Sequence, residues 1–224
     1  MNYTQLSAAI SAYTENTEAN FIAEIPVFIT QAEQRIYNSV QFPSLRKNMT
    51  GNVTAQNKYL SAPNDYLATY SLALYPVGGG EYLYLLNKDV NFMRQAYPNP
   101  TDYGTPKYYA LFGPTVTSGT ITNELTFILG PTPDTAYTAE LHYYYYPESI
   151  TTISGGQTWL GDNFDSVLLY GSLVEAYTYM KGEQDMMALY NGKYQEALAL
   201  AKRLGDGMER QDAYRSGQFR QAVT

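Results

Sequence analysis

The sequence predicts an α+β fold: a helical bundle built from both chain ends, with an antiparallel β-rich lobe inserted between them. Three observations carry this prediction. Apolar residues recur at helical spacing through the first fifty residues, the period falls to two between Asn52 and Pro147, and helical spacing returns after Trp159. Because helices open and close the chain, the economical arrangement is one bundle made from residues 1–50 and 158–205. Residues 51–157 then form the β lobe, and 206–224 an extended C-terminal arm.

The elements follow in order. Gln5 to Tyr13 is a short amphipathic helix with Leu6, Ala9, Ile10 and Tyr13 on one face. In IPVFITQAEQRIYNSV, Ile25, Phe28, Ile29, Ala32, Ile36 and Val40 fall at helical spacing. Pro26 suits a first-turn position and Pro43 closes the helix. Short runs rich in Tyr, Thr, Leu and Ile then alternate with turn signals at Pro63-Asn64-Asp65, Gly78-Gly79-Gly80, Gly113-Pro114 and Gly130-Pro131. They predict about five to seven strands, interrupted by a short helix near Asp89–Tyr97. DNFDSVLLYGSLVEAYTYMKG begins with Asp/Asn and stops at Gly182, with Phe164, Val167, Leu168, Gly171 and Val174 as its buried stripe. In the last helix Met187, Tyr190, Tyr194, Ala197, Ala201 and Leu204 form the stripe, and Gly205 takes the C-terminal cap.

One strand is unusual. AELHYYYYPESI (Ala139–Ile150) carries four consecutive tyrosines. Alternation sets Leu141, Tyr143 and Tyr145 on one face, and His142, Tyr144 and Tyr146 on the other. Both faces are aromatic, so both are expected to be covered, one by the chain's own core and the other by a second layer, a neighbouring subunit or a ligand. The composition agrees. The chain has 24 tyrosines in 224 residues and only 16% charged residues, against roughly 25% in average domains. A Tyr-rich, charge-poor surface suits protein–protein contact.

Other function classes find little support. A net charge of −7 with scattered cations argues against binding nucleic acid through its phosphates. The absence of cysteine excludes disulfide scaffolds, thiolate metal sites and Cys nucleophiles. The N-terminus lacks a basic segment followed by a long apolar stretch, and no apolar run approaches the ~20 residues of a membrane span. A soluble protein made in the cytosol is expected. One histidine, His142, cannot form a multi-His metal site, and no G-x-S-x-G elbow accompanies it. VGGGEY lacks the Lys-Ser/Thr of a phosphate loop, and DNFD lacks calcium-loop spacing. No catalytic residue, metal or cofactor is expected. The many tyrosines of the β lobe make a carbohydrate-binding or carbohydrate-cleaving tail component the alternative reading; Glu140 and Glu148 flank the tyrosine strand, but nothing in the spacing selects them as a catalytic pair. The tail DGMERQDAYRSGQFRQAVT spaces Arg210, Arg215 and Arg220 five residues apart and adds Met208, Tyr214 and Phe219, as a docking arm would.

From Tyr103 to Lys181 the chain resembles the head–tail adaptor (connector or gatekeeper-type, tail tubular protein A-like) family of short-tailed bacteriophages and related neck proteins. The matching residues are Gly104, Pro106, Tyr108 and Tyr109 in YGTPKYYALFG, and Leu129, Pro131, Pro133, Asp134 and Tyr137 in the LGPTPDTAY stretch. Leu141, Tyr143, Tyr144, Trp159 and Leu160 follow. The helix then matches at Leu168, Leu169, Tyr170, Gly171, Leu173, Glu175 and Ala176. Earlier, Ala32, Glu33, Arg35 and Ile36 fit, as do Leu60, Pro63, Asp65, Tyr66 and Leu67. Gly130 departs from the pattern by lengthening its stretch by one residue. The N-terminal helix and the last twenty residues are unmatched.

The resemblance implies a structural virion protein without catalysis at the head–tail junction. It implies a homo-oligomeric ring, typically a dodecamer, that binds the portal protein on one side and the tail tube or nozzle on the other. Double-stranded DNA passes through such a ring without specific binding. The C-terminal arm then reaches the portal through Met208, Arg210, Tyr214, Arg215, Phe219 and Arg220, and Tyr144 and Tyr146 meet a neighbouring subunit or the tail.

Overall fold

In a computed structural model, residues 1–117, 120–123 and 125–215 are described. The fold is α+β, and the chain forms two compact units, one from residues 1–45 together with the chain from Tyr146 onward, the other Arg46–Tyr145.

Helix α1 (Tyr3–Thr14) opens the first unit. Asn2 caps it: its side chain accepts from the Gln5 N–H at 2.9 Å, and the Gln5 side chain accepts from the Asn2 N–H at 3.0 Å. Leu6 and Ile10 are buried as expected, but Tyr13 is 47% exposed. Helix α2 (Ala19–Ser39) starts earlier than the apolar pattern indicated, so Pro26 lies inside it rather than in its first turn. The cost of a missing N–H is tolerated because tertiary burial of Phe21, Ile25, Phe28 and Ile29 holds the turns on both sides.

The second unit is a sandwich of two sheets. Strands β1 (Arg46–Val53), β2 (Tyr59–Ser61), β3 (Ala68–Pro76), β4 (Leu83–Tyr84) and β5 (Leu86–Asn87) come first. Helix α3 (Val90–Ala96) follows, capped by Asp89. Then come β6 (Tyr103–Gly104), β7 (Tyr108–Phe112), β8 (Thr115–Thr117), β9 (Thr120–Asn123), β10 (Thr126–Gly130), β11 (Thr132–Pro133) and β12 (Tyr137–Tyr144). One sheet runs β1-β12-β3-β4 and the other β2-β10-β7-β5. Pairing is antiparallel except for two short parallel pairs, β5 with β7 and β6 with β11. The strands are more numerous than expected because several are two-residue bridges. β1 begins at Arg46, inside the stretch that the sequence assigned to helix.

Leu72, Leu74, Tyr137, Ala139, Leu141 and Tyr143 of the first sheet share a core with Tyr109, Phe127 and Leu129 of the second. Helix α3 covers the second sheet, with Phe92 edge-on to Tyr108 at 5.4 Å. Gly130 is explained here. A Cβ on it would fall 2.5 Å from the Met93 methyl and 2.8 Å from the Tyr97 ring.

The chain returns to the first unit through α4 (Trp159–Asn163), α5 (Asp165–Met180) and α6 (Gln184–Arg215). Helix α5 is the central helix, packed on α1, α2 and α6. Of the expected stripe Val167, Leu168 and Gly171 are buried while Phe164, which precedes the helix, and Val174 are half-buried, and Leu169, Ser172, Leu173 and Ala176 are buried in addition. The α6 stripe is Tyr190, Tyr194, Leu198 and Ala201. It differs from the expected one at its end, where Leu204 is exposed and Gly205 is buried. Gly205 does not cap the helix, which runs ten residues further, so 206–215 are helical rather than extended. Good helix formers such as Met208, Glu209, Arg210, Gln211 and Ala213 offset the two glycines. Of the docking-arm residues, Met208, Arg210, Tyr214 and Arg215 thus lie on α6, while Phe219 and Arg220 lie outside the described residues.

Candidate functional site

The tyrosine strand β12 shows the expected alternation. Tyr137, Ala139, Leu141 and Tyr143 are buried, and Thr138, Glu140, His142 and Tyr144 are half-buried on the other face. The buried face solves the problem of the phenol tips. Tyr143 donates to Asp65 Oδ1 at 2.8 Å, and Lys47 Nζ donates to Asp65 Oδ2 at 2.7 Å. Burial opposes the ionisation of Asp65, but these hydrogen bonds outweigh it and hold the carboxyl below its usual value. Tyr145 lies beyond the strand but still packs on this core, its ring 6.3 Å from Tyr143.

The outer face carries two aromatic groups. At one end Arg46 stands opposite Tyr144 in the register, with its guanidinium 5.7 Å from the Tyr144 ring centre and 5.0 Å from that of Tyr70. Tyr70 reaches this face through a β-bulge. The partner of Tyr143 is Thr69, one residue off the regular register with Ser71 opposite His142, so Tyr70 is thrown outward. At the other end Tyr75 and Tyr82 lie 5.0 Å apart, and Tyr82 and Tyr84 stack at 6.3 Å. Tyr70, Tyr82 and Tyr84 remain 57%, 48% and 71% exposed.

Glu140 sits beside the second group. Its Oε1 accepts from Asn48 Nδ2 at 3.0 Å and from His142 Nε2 at 3.1 Å, and the Tyr82 hydroxyl donates to the same carboxylate. The His142 bond, followed by the Asn48 bond, holds the carboxyl below its ordinary value. In return the negative charge pushes the Tyr82 phenol up. Glu140 is thus a persistent anion, the opposite of a general acid. Glu148, its imagined partner in sugar chemistry, belongs to the other compact unit. The carboxyl that burial does raise is Glu33, 2% exposed, which accepts from the Ile150 N–H at 3.0 Å. It braces a loop rather than lining a cleft.

Tyr144 therefore stands on the outer face, as expected, whereas Tyr146 does not join it. The strand ends at Tyr144, and Tyr146 turns back to α2, where its hydroxyl donates to the Asn38 side chain and its ring lies 6.5 Å from Tyr37. Sequence reasoning did not single out Arg46, Tyr70, Tyr82 or Tyr84. The alternation in EYLYLL puts Tyr82 and Tyr84 on one face and was sufficient to find them. Tyr70 carried no such signal, because simple alternation pairs it with the buried Leu72 and Leu74.

Among the described residues, no group of three or more His, Asp or Glu is arranged to hold a metal, and no helix is long and apolar enough to cross a membrane. What these units offer is surface. A family model, SU10 adaptor protein, matches residues 1–221. The chain belongs to the SU10 adaptor protein family. Membership makes it a phage adaptor, a structural protein of the virion at the head–tail junction that associates with other virion components. No curated protein matches the adaptor's sequence. The family residues noted in the sequence turn out to pair with each other. Arg35 bonds Glu175, and Tyr143 bonds Asp65. Tyr137 donates to Asp134 at 2.7 Å, and Gly171 leaves room for Ala32. These pairs hold the fold.

Proposed function

We propose that the adaptor assembles into a homo-oligomeric ring, dodecameric as in the short-tailed gatekeeper type, that joins the portal protein to the tail tube or nozzle and forms part of the DNA passage. The observation that carries this reading is the outer face of the β1-β12-β3-β4 sheet, where large rings stay exposed on a chain with little surface charge. Such area is expensive to leave in water and belongs against protein. A second stripe supports lateral packing. Leu189, Leu200 and Leu204 lie along one side of α6, each about half exposed, apart from the buried stripe of the same helix. Tyr144, with Tyr70, is assigned to the neighbour or the tail protein. Tyr146 makes its contact partly within its own unit.

The portal end is assigned to Met208, Arg210, Tyr214, Arg215, Phe219 and Arg220, with the aromatic residues as anchors and the arginines meeting acidic portal groups. Native mass spectrometry and negative-stain imaging test both assignments. The full chain mixed with portal should give a closed ring on the portal. A chain lacking 206–224 should melt within a few degrees of the full chain yet lose portal binding. A truncated chain that still binds portal would refute the docking assignment, and a full chain that stays monomeric beside portal would refute the ring.

A further inference from the structure

We propose that Tyr75, Tyr82, Tyr84 and Glu140 form a receptor for an arginine side chain presented by a partner protein segment. The inference goes beyond the ring reading and does not depend on it. The three rings form a ladder at 5.0 and 6.3 Å, open to solvent at Tyr82 and Tyr84. Ring faces attract cations, most strongly where another ring and an anion add to the field. Glu140 supplies the anion at the foot of the ladder. Three donors, His142, Asn48 and Tyr82, fix its position and keep it ionised, while a carboxylate with about four lone-pair sites can still accept from a guanidinium.

The same sheet face already uses this chemistry once. Arg46 lies against both Tyr70 and Tyr144. The second aromatic group has the rings and, in addition, a carboxylate, yet among the described residues no Lys or Arg stands over Tyr75, Tyr82 or Tyr84. Charge complementarity therefore selects a cationic occupant. A planar guanidinium fits better than an ammonium, because it stacks on a ring and bonds a carboxylate at the same time. An oligosaccharide would also stack on tyrosines and donate hydroxyls to the carboxylate, but it is neutral and would leave the charge of Glu140 unpaired.

The test uses the full chain and three probes: capped hexa-arginine, capped hexa-lysine and maltohexaose. Hexa-arginine should shift the backbone amide signals of 75, 82–84 and 140, and should bind more tightly than hexa-lysine. Glu140→Gln and Tyr84→Ser should each weaken it about tenfold in calorimetry. Glu183→Gln, which removes the same charge from the other unit, should leave the affinity unchanged. Tyr84 is largely exposed, so its variant reports on binding even if Glu140→Gln disturbs the sheet. Equal weakening by Glu183→Gln would mean mere attraction to a negative chain and would overturn the proposal. Wild-type affinity in both site variants would overturn it too. So would maltohexaose shifting these residues while hexa-arginine does not, since that would make the face a glycan platform.

Discussion

Tyr143 and Tyr194 are both buried large rings, and they treat their hydroxyls differently. Tyr143 reaches Asp65. Tyr194 is 1% exposed beneath Arg35, and its hydroxyl has no hydrogen-bond partner among the described residues. Leaving a buried donor unpaired costs about 1–3 kcal/mol. Tyr194→Phe keeps the ring and its attraction for the guanidinium, so it should stabilise the adaptor by about 1 kcal/mol in urea unfolding. A loss instead would show that the hydroxyl is satisfied. Glu33 supplies a pH effect. Burial raises its carboxyl, and the bonds from Ser149 and the Ile150 N–H offset only part of that. The folded chain therefore keeps this proton to a higher pH than the unfolded chain, whose carboxyl titrates near 4.5. Stability from this group is present at low pH and is lost as pH rises through the folded value. Glu33→Gln removes the effect, so its stability relative to the native chain should increase from pH 4.5 to pH 7. Urea midpoints for both proteins across that range check the sign.

Helix α6 shows at the element scale why one residue type has two meanings. Gly192 is exposed, and a Cβ there would touch nothing within 4 Å. Gly205 is buried, and a Cβ there would fall 2.9 Å from the Gln41 carbonyl oxygen and 3.2 Å from a Val40 methyl. Gly192→Ala should therefore gain about 1 kcal/mol from helix propensity. Gly205→Ala gains the same propensity but must push the helix off a backbone atom, so it should lose about 1 kcal/mol or more net. Thermal melts of the two single variants should move in opposite directions. The helix's buried face also explains why its sequence pattern was read one residue out of step near its end. Leu198 and Gly205 are buried, Gly205 close to Val40 and Gln41, while Leu204, the more apolar choice, is left outside.

On the scale of the whole molecule, the formal charge of −7 acquires a role if copies close into a ring around DNA. Cations aimed inward would release counterions from the duplex and make it stick. An acidic or neutral lining avoids this, and repels the duplex within ~10 Å at 0.1 M salt. The assembled ring should therefore show weak DNA binding with a shallow salt dependence in filter binding or anisotropy. Tight binding that collapses with salt would mean that the ring grips the genome rather than letting it slide.

Local pattern alone determined the fold class, the order helices–strands–helices, the two faces of the tyrosine strand and the position of α3. Each depends on residues within a few positions of one another, where periodicity and capping act. The ordered motifs also pointed to an adaptor, and in the structure pairs such as Arg35 with Glu175 hold the fold. Only the tertiary structure decided the rest. A bulge opposite Tyr143 turned Tyr70 outward, and the end of β12 sent Tyr146 back to α2. The close approach of Gln41 made Gly205 a packing residue within a continuing helix. The gathering of Asn48, Tyr82 and His142 around Glu140 joins β1, β12 and the residue before β4, which are far apart in the chain. Each of these depends on register between distant segments, and a register change of one residue reverses which side chains meet.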